Sequence, residues 1–116
     1  MSNIKKLTEK IINFRKARDW KQFHKPKDIA ISMSLEASEV LEHFQWKSNE
    51  EVEKYCKDNK EEIGEELADV MYWVLLMSHD LKINILDTLE KKLKKNEKKY
   101  PVEKAKGIHT KYDKLK

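Results

Sequence analysis

Residues 60–80, KEEIGEELADVMYWVLLMSHD, decide how this chain folds. Ile63, Leu67, Val70, Met71 and Val74 recur at three- and four-residue spacings, which line one face of a helix. A half-buried strand would need strict alternation, and the chain has no such pattern. The apolar run at 70–77, VMYWVLLM, is the longest in the chain. It falls far short of the roughly 20 residues that span a bilayer, so this is a core helix of a soluble protein.

Working outward, Asp58-Asn59 marks a break before this helix, and Ser48 with Glu51 fits a capping box for the segment that precedes the break. A second helix is expected from near Pro26 to about Phe44, with Ile29, Met33, Ala37, Val40 and Phe44 along one stripe. A first helix spans about Asn3 to Asp19, with Ile4, Leu7, Ile11, Ile12 and Phe14 on its apolar side. Asn84 and Asp87 open a last helix that runs to about Lys99 and stops before Pro101. The predicted class is all-α, a four-helix antiparallel bundle over residues 1–100, with a basic and irregular tail over 101–116.

Composition agrees with that reading. Two Gly and two Pro in 116 residues leave few turns, and 39% hydrophobic content supports one modest core. Such a small domain gains core by assembling with copies of itself. Cys56 is the single cysteine, which excludes an intrachain disulfide and a Cys-rich zinc site. The opening MSNIKKLTEK lacks the apolar stretch of a secretory signal, so a cytoplasmic location is the expectation. The net charge of +4 conceals a balance of −4 over residues 1–90 and +8 over residues 91–116. An acidic body with a basic end suits a cation and an anionic ligand together, although a lysine-rich run also reads as a solvated face.

The chemistry lies in where the acids fall. Glu36 is only about 20° around its helix from Ile29, inside the apolar stripe, and Glu39 follows three residues on. Glu66 and Asp69 repeat the device on the next long helix. Carboxylates turned toward a bundle interior are costly unless they are paired or hold a metal. Oxygen donors without Cys or His favour Mg²⁺, with Mn²⁺ as a substitute, over zinc. On spacing alone the same acids also read as ordinary surface residues, and Glu42, Glu61, Glu62 and Glu65 supply further acids at helical spacing.

With these residues in place, the sequence resembles the MazG-like all-α nucleotide pyrophosphohydrolases, especially the branch that includes dCTP pyrophosphatase. The acidic pairs appear as Glu36-Ala-Ser-Glu39 and Glu66-Leu-Ala-Asp69. Flanking matches are Arg18-Asp19-Trp20-Lys21-Gln22-Phe23-His24, Glu42-His43-Phe44-Gln45-Trp46-Lys47, and Lys92, Asn96 and Tyr100-Pro101. The resemblance extends from about residue 14 to 112 and implies Mg²⁺-dependent hydrolysis of a nucleoside triphosphate to the monophosphate and pyrophosphate. It implies that Glu36, Glu39, Glu66 and Asp69 hold the metal, with Glu39 preferred for orienting the attacking water. It further implies that Lys92, Asn96 and Tyr100 face the triphosphate, that Trp20, His24 and Trp46 form the base pocket, and that the subunits form a homodimer or homotetramer.

Two departures bear on the base. Lys94 stands where dCTP-hydrolysing relatives have an acid, and Trp73 stands where they have a tyrosine, one turn beyond Asp69 and beside the pocket. The spacer between Trp46 and Glu66 is also shorter than in animal members, which suggests a compact microbial form. Phosphoribosyl-ATP pyrophosphohydrolase shares the acidic motifs and is the competing enzyme, with the RDWKQFH and FQWK segments against it. A helical module that binds nucleic acid through the basic C-terminal segment, and a purely structural bundle, are the non-catalytic alternatives. The expected partners are therefore a nucleotide and a second copy of the chain, with no membrane and no nucleic acid.

Overall fold

A computed structural model describes residues 2–109 and 114. The chain forms helices α1 (Asn3–Ala17), α2 (Pro26–Glu42), α3 (Asn49–Asp58), α4 (Lys60–Asp80), α5 (Ile85–Lys99) and α6 (Val102–Ala105), with a 3₁₀ turn at Lys21–Phe23. No strand occurs among the described residues. The all-α class is as expected. The segment before Lys60 is a separate helix, α3, and the expected tail contains the short α6. Residues 110–113, 115 and 116 of that tail lie outside the described residues.

Local chemistry sets most of the ends. Ser2 Oγ accepts from the Lys5 amide at 3.1 Å, and Asn84 Oδ1 accepts from Asp87 at 3.1 Å, each satisfying an amide that helix geometry leaves free. The Ser48–Glu51 capping box is present in both directions, at 3.2 and 3.1 Å. Pro26 opens α2 after an extended Lys25, where its missing N–H costs no helical bond. Helix α1 stops two residues earlier than its periodicity predicts because Asp19 adopts a left-handed φ of 53°. Gln22 Nε2 donates to the Asp19 carbonyl at 2.9 Å and braces that turn.

The chain divides into two compact units, Met1–Leu81 and Lys82–Lys116. In the first, α4 is the central element: α1, α2 and α3 all pack on it, α2 most extensively. His24, just before α2, meets Trp73, whereas Glu36 and Glu39 meet Glu66 and Asp69. The pairings ascend one helix as they descend the other, so α2 and α4 are antiparallel. Ile29, Leu75 and Leu76 are the buried hydrophobic residues. Beside them Arg15, 2% exposed, makes a bidentate ion pair with Asp80, both bonds at 2.7 Å. Such a fork needs both partners, since either charge alone would be left desolvated. In the second unit α5 carries Leu86, Leu89 and Leu93, all substantially exposed.

A small knot fixes the turn after α2. His43 Nδ1 and the Tyr55 hydroxyl share a hydrogen bond of 2.5 Å. Lys47 donates to the His43 carbonyl at 2.7 Å and lies 4.2 Å from the centre of the Tyr55 ring. The turn that bears Trp46 is thereby tied to α3.

Candidate active site

Glu36 and Glu39 on α2 face Glu66 and Asp69 on α4, and one carboxylate oxygen from each lies within 4.8 Å of the others. The i, i+3 spacing on each helix stacks the acids one turn apart, and the antiparallel crossing brings the two stacks together. Glu36 and Glu66 are half-buried, whereas Glu39 and Asp69 reach solvent. One oxygen of Glu36 and one of Glu66, Oε2 in each case, are buried without a hydrogen-bond partner. A buried polar atom left unpaired is costly, so these two acceptors fit a ligand that supplies positive charge.

Electrostatics points the same way. Burial, then the hydrogen bond to Glu39 and the surrounding carboxylates, push the Glu36 carboxyl up to about 7. A hydrogen bond to Glu39, followed by burial and the charges of its neighbours, raises Glu66 as well. Four acids held this close repel one another unless protons or a cation intervene. Their all-oxygen donor set suits a hard divalent cation, and the four can hold a metal ion.

Beside the acids lies an open cavity of about 520 Å³. Glu36 and Asp69 form one part of its wall, with Tyr72 and Trp73 continuing along α4. Trp20 closes an edge, and α1 contributes Leu7, Lys10, Ile11 and Phe14. The rings interlock edge to face: Phe14 with Trp20 at 5.8 Å, Phe14 with Tyr72 at 6.3 Å, and Tyr72 with Trp73 at 5.0 Å. Arg18 stacks on Phe14, 3.7 Å from the ring centre. A concave aromatic slot next to four clustered carboxylates has room for a flat, apolar-faced ligand.

The structure thus brings the four expected acids together with two of the expected aromatics, Trp20 and Trp73. His24 does not line this cavity; it packs edge to face behind Trp73 at 5.3 Å. Its Nδ1 is buried and unpaired, and burial, with the nearby Arg15, lowers its pKa. Trp46 is 88% exposed on its turn and does not line the cavity either. Lys92 and Asn96 lie on α5 and Tyr100 caps that helix, all within the second unit. Sequence reasoning missed the cavity wall contributed by α1 and the Arg15–Asp80 pair. Arg15 stands four residues after Ile11 and three after Ile12, a charge inside an apolar stripe, which was the available signal.

The MazG-like family model matches residues 31–115 of this chain. The chain belongs to the MazG-like family. Among curated proteins it is similar to dCTP pyrophosphatase 1 of Mus musculus, 32% identical over 104 residues and 88% of this chain. It is likewise similar to dCTP pyrophosphatase 1 of Bos taurus, 29% identical over the same length. It spans 61% and 62% of those two proteins respectively. Among solved structures it resembles a pyrophosphatase from Archaeoglobus fulgidus, with 36% identity and a TM-score of 0.83, over 87% of this chain and 94% of that one.

Proposed function

We propose that this protein is a nucleoside triphosphate pyrophosphohydrolase, converting dCTP, a modified dCTP or another non-canonical nucleotide to the monophosphate and pyrophosphate. The observation that carries this is the convergence of Glu36, Glu39, Glu66 and Asp69 within 4.8 Å beside an aromatic cavity. The names of the similar proteins, dCTP pyrophosphatase and pyrophosphatase, support the same reaction. The cofactor is Mg²⁺, with Mn²⁺ able to substitute; when bound, it would neutralise phosphate oxygens and favour ionisation of a nearby water.

Each residue then has a task. Glu36, Glu39, Glu66 and Asp69 hold the cation, and burial of the unpaired oxygens on Glu36 and Glu66 makes ion binding favourable. Glu39 also touches the cluster but is exposed, so it can accept a proton from the attacking water and return it to solvent. Trp20 and Trp73 stack against the base. The family resemblance assigns Lys92, Asn96 and Tyr100 to the triphosphate and Trp46 and His24 to the base; within this cavity His24 acts through the Trp73 ring it packs against, not by lining the wall. The working form is a homodimer or homotetramer in the cytoplasm. Leu35, Leu67 and Met71 support self-assembly: they are 62%, 54% and 43% exposed, within two residues of an acid of the cluster. Among the described residues no helix is long and apolar enough to cross a membrane.

Glu36→Gln and Asp69→Asn test the assignment. Each is expected to lose metal-dependent turnover while its circular dichroism spectrum stays helical. Retained turnover in both variants would overturn the metal assignment.

A further inference from the structure

Helix α1 presents Leu7, Lys10, Ile11 and Phe14 to the cavity, the i, i+3, i+4, i+7 set of one helical face. Three of these are apolar, as a wall facing an aromatic slot requires. Lys10 is not, although it lies only about 40° around the helix from Phe14. It is the single cationic residue of the lining, and the opposite wall holds Glu36 and Asp69. Among the described residues Lys10 makes no hydrogen bond or ion pair, so its ammonium is available. Arg15 and Arg18, the other cations near this wall, are occupied by Asp80 and by the Phe14 carbonyl and ring.

Resting on the pyrophosphohydrolase reading, we propose that Lys10 binds the phosphate chain of the nucleotide from the α1 side of the cavity. A triphosphate entering a site of four carboxylates brings more negative charge than a divalent ion cancels. An unpaired ammonium on a flexible stem offsets part of the surplus at little positional cost. Its methylenes meanwhile lie along the apolar wall, which explains how a lysine occupies that face. Lys10 acts in binding and touches no proton in the reaction.

The test compares wild type with Lys10→Met, which keeps the stem and removes the charge. Tryptophan fluorescence follows binding of a non-hydrolysable dCTP analogue and of deoxycytidine, and steady-state kinetics follow dCTP, dTTP and dGTP. The expected result is a roughly tenfold weaker Kd for the analogue, with deoxycytidine binding unchanged. KM should rise by a similar factor for all three triphosphates, with kcat within about twofold, and Lys10→Arg should recover most of the loss. Unchanged analogue binding would overturn the proposal, leaving a lysine whose ammonium points to solvent. A loss confined to one base would also overturn it, because Lys10 would then read the base. A wild-type protein that neither binds nor hydrolyses any triphosphate would bring down the pyrophosphohydrolase reading itself.

Discussion

Replacing Glu36 by Gln should stabilise the metal-free protein at alkaline pH, the opposite of the usual effect of changing an interior residue. Glu36 is held at about 7 against an ordinary 4.5. The folded state therefore keeps a proton that the unfolded chain releases, and stability is fully present below about pH 4.5 and lost as pH rises through 7. At about 1.4 kcal/mol per pKa unit the penalty above pH 7 has a ceiling of about 3 kcal/mol. Water reaches this half-buried group, which reduces the effect to about 1–2 kcal/mol. Gln removes the ionisation while keeping an amide that can hydrogen-bond to Glu39. Thermal unfolding in EDTA should show the variant melting roughly 4–8 °C above wild type at pH 8, and level with it at pH 4.5. A variant less stable than wild type at pH 8, or one with an unchanged pH profile, would refute the reasoning that four crowded carboxylates strain the empty cluster.

Arg15→Met strands Asp80 beside the core and should cost about 3 kcal/mol, read as a lower urea midpoint; an unchanged midpoint would make the pair dispensable. Ser48→Ala removes one arm of the capping box and should cost about 1 kcal/mol with no change in kcat, measured by urea unfolding and steady-state kinetics. Trp20→Ala should raise KM roughly tenfold with little change in kcat, since stacking on a base is worth about 1–3 kcal/mol. Isothermal titration of Mn²⁺ at pH 6.5, repeated in buffers of different ionisation enthalpy, should report proton release, because the raised Glu36 and Glu66 must ionise to bind.

Helix positions were legible because apolar spacing and capping chemistry are local. Ser48 with Glu51 marked one helix start, Asn84 another, and Pro26 a third, and each helix begins where its sequence indicates. The end of α1 was less legible, since the left-handed turn at Asp19 depends on backbone conformation and on Gln22. The acidic site was visible as two i, i+3 pairs at inward-facing positions, but helical phase alone could not exclude a surface role. Their convergence depends on how α2 crosses α4, which no single-helix pattern contains. The same limit hid the cavity wall: Leu7, Lys10 and Phe14 come to line one cavity with Trp73 only through packing between helices. His24 was expected in a base pocket as part of a motif, while its place behind Trp73 follows from the 3₁₀ turn that precedes α2.

The central claim is that the four-carboxylate cluster supports metal-dependent cleavage of a nucleoside triphosphate into monophosphate and pyrophosphate. The most direct test incubates the purified protein with a panel of canonical and modified triphosphates, with Mg²⁺ and separately with EDTA, and resolves the products by chromatography. The account predicts equal amounts of monophosphate and pyrophosphate with Mg²⁺ from at least one triphosphate of the panel, and none in EDTA. Release of diphosphate and inorganic phosphate, turnover that persists in EDTA, or no turnover of any triphosphate would contradict it.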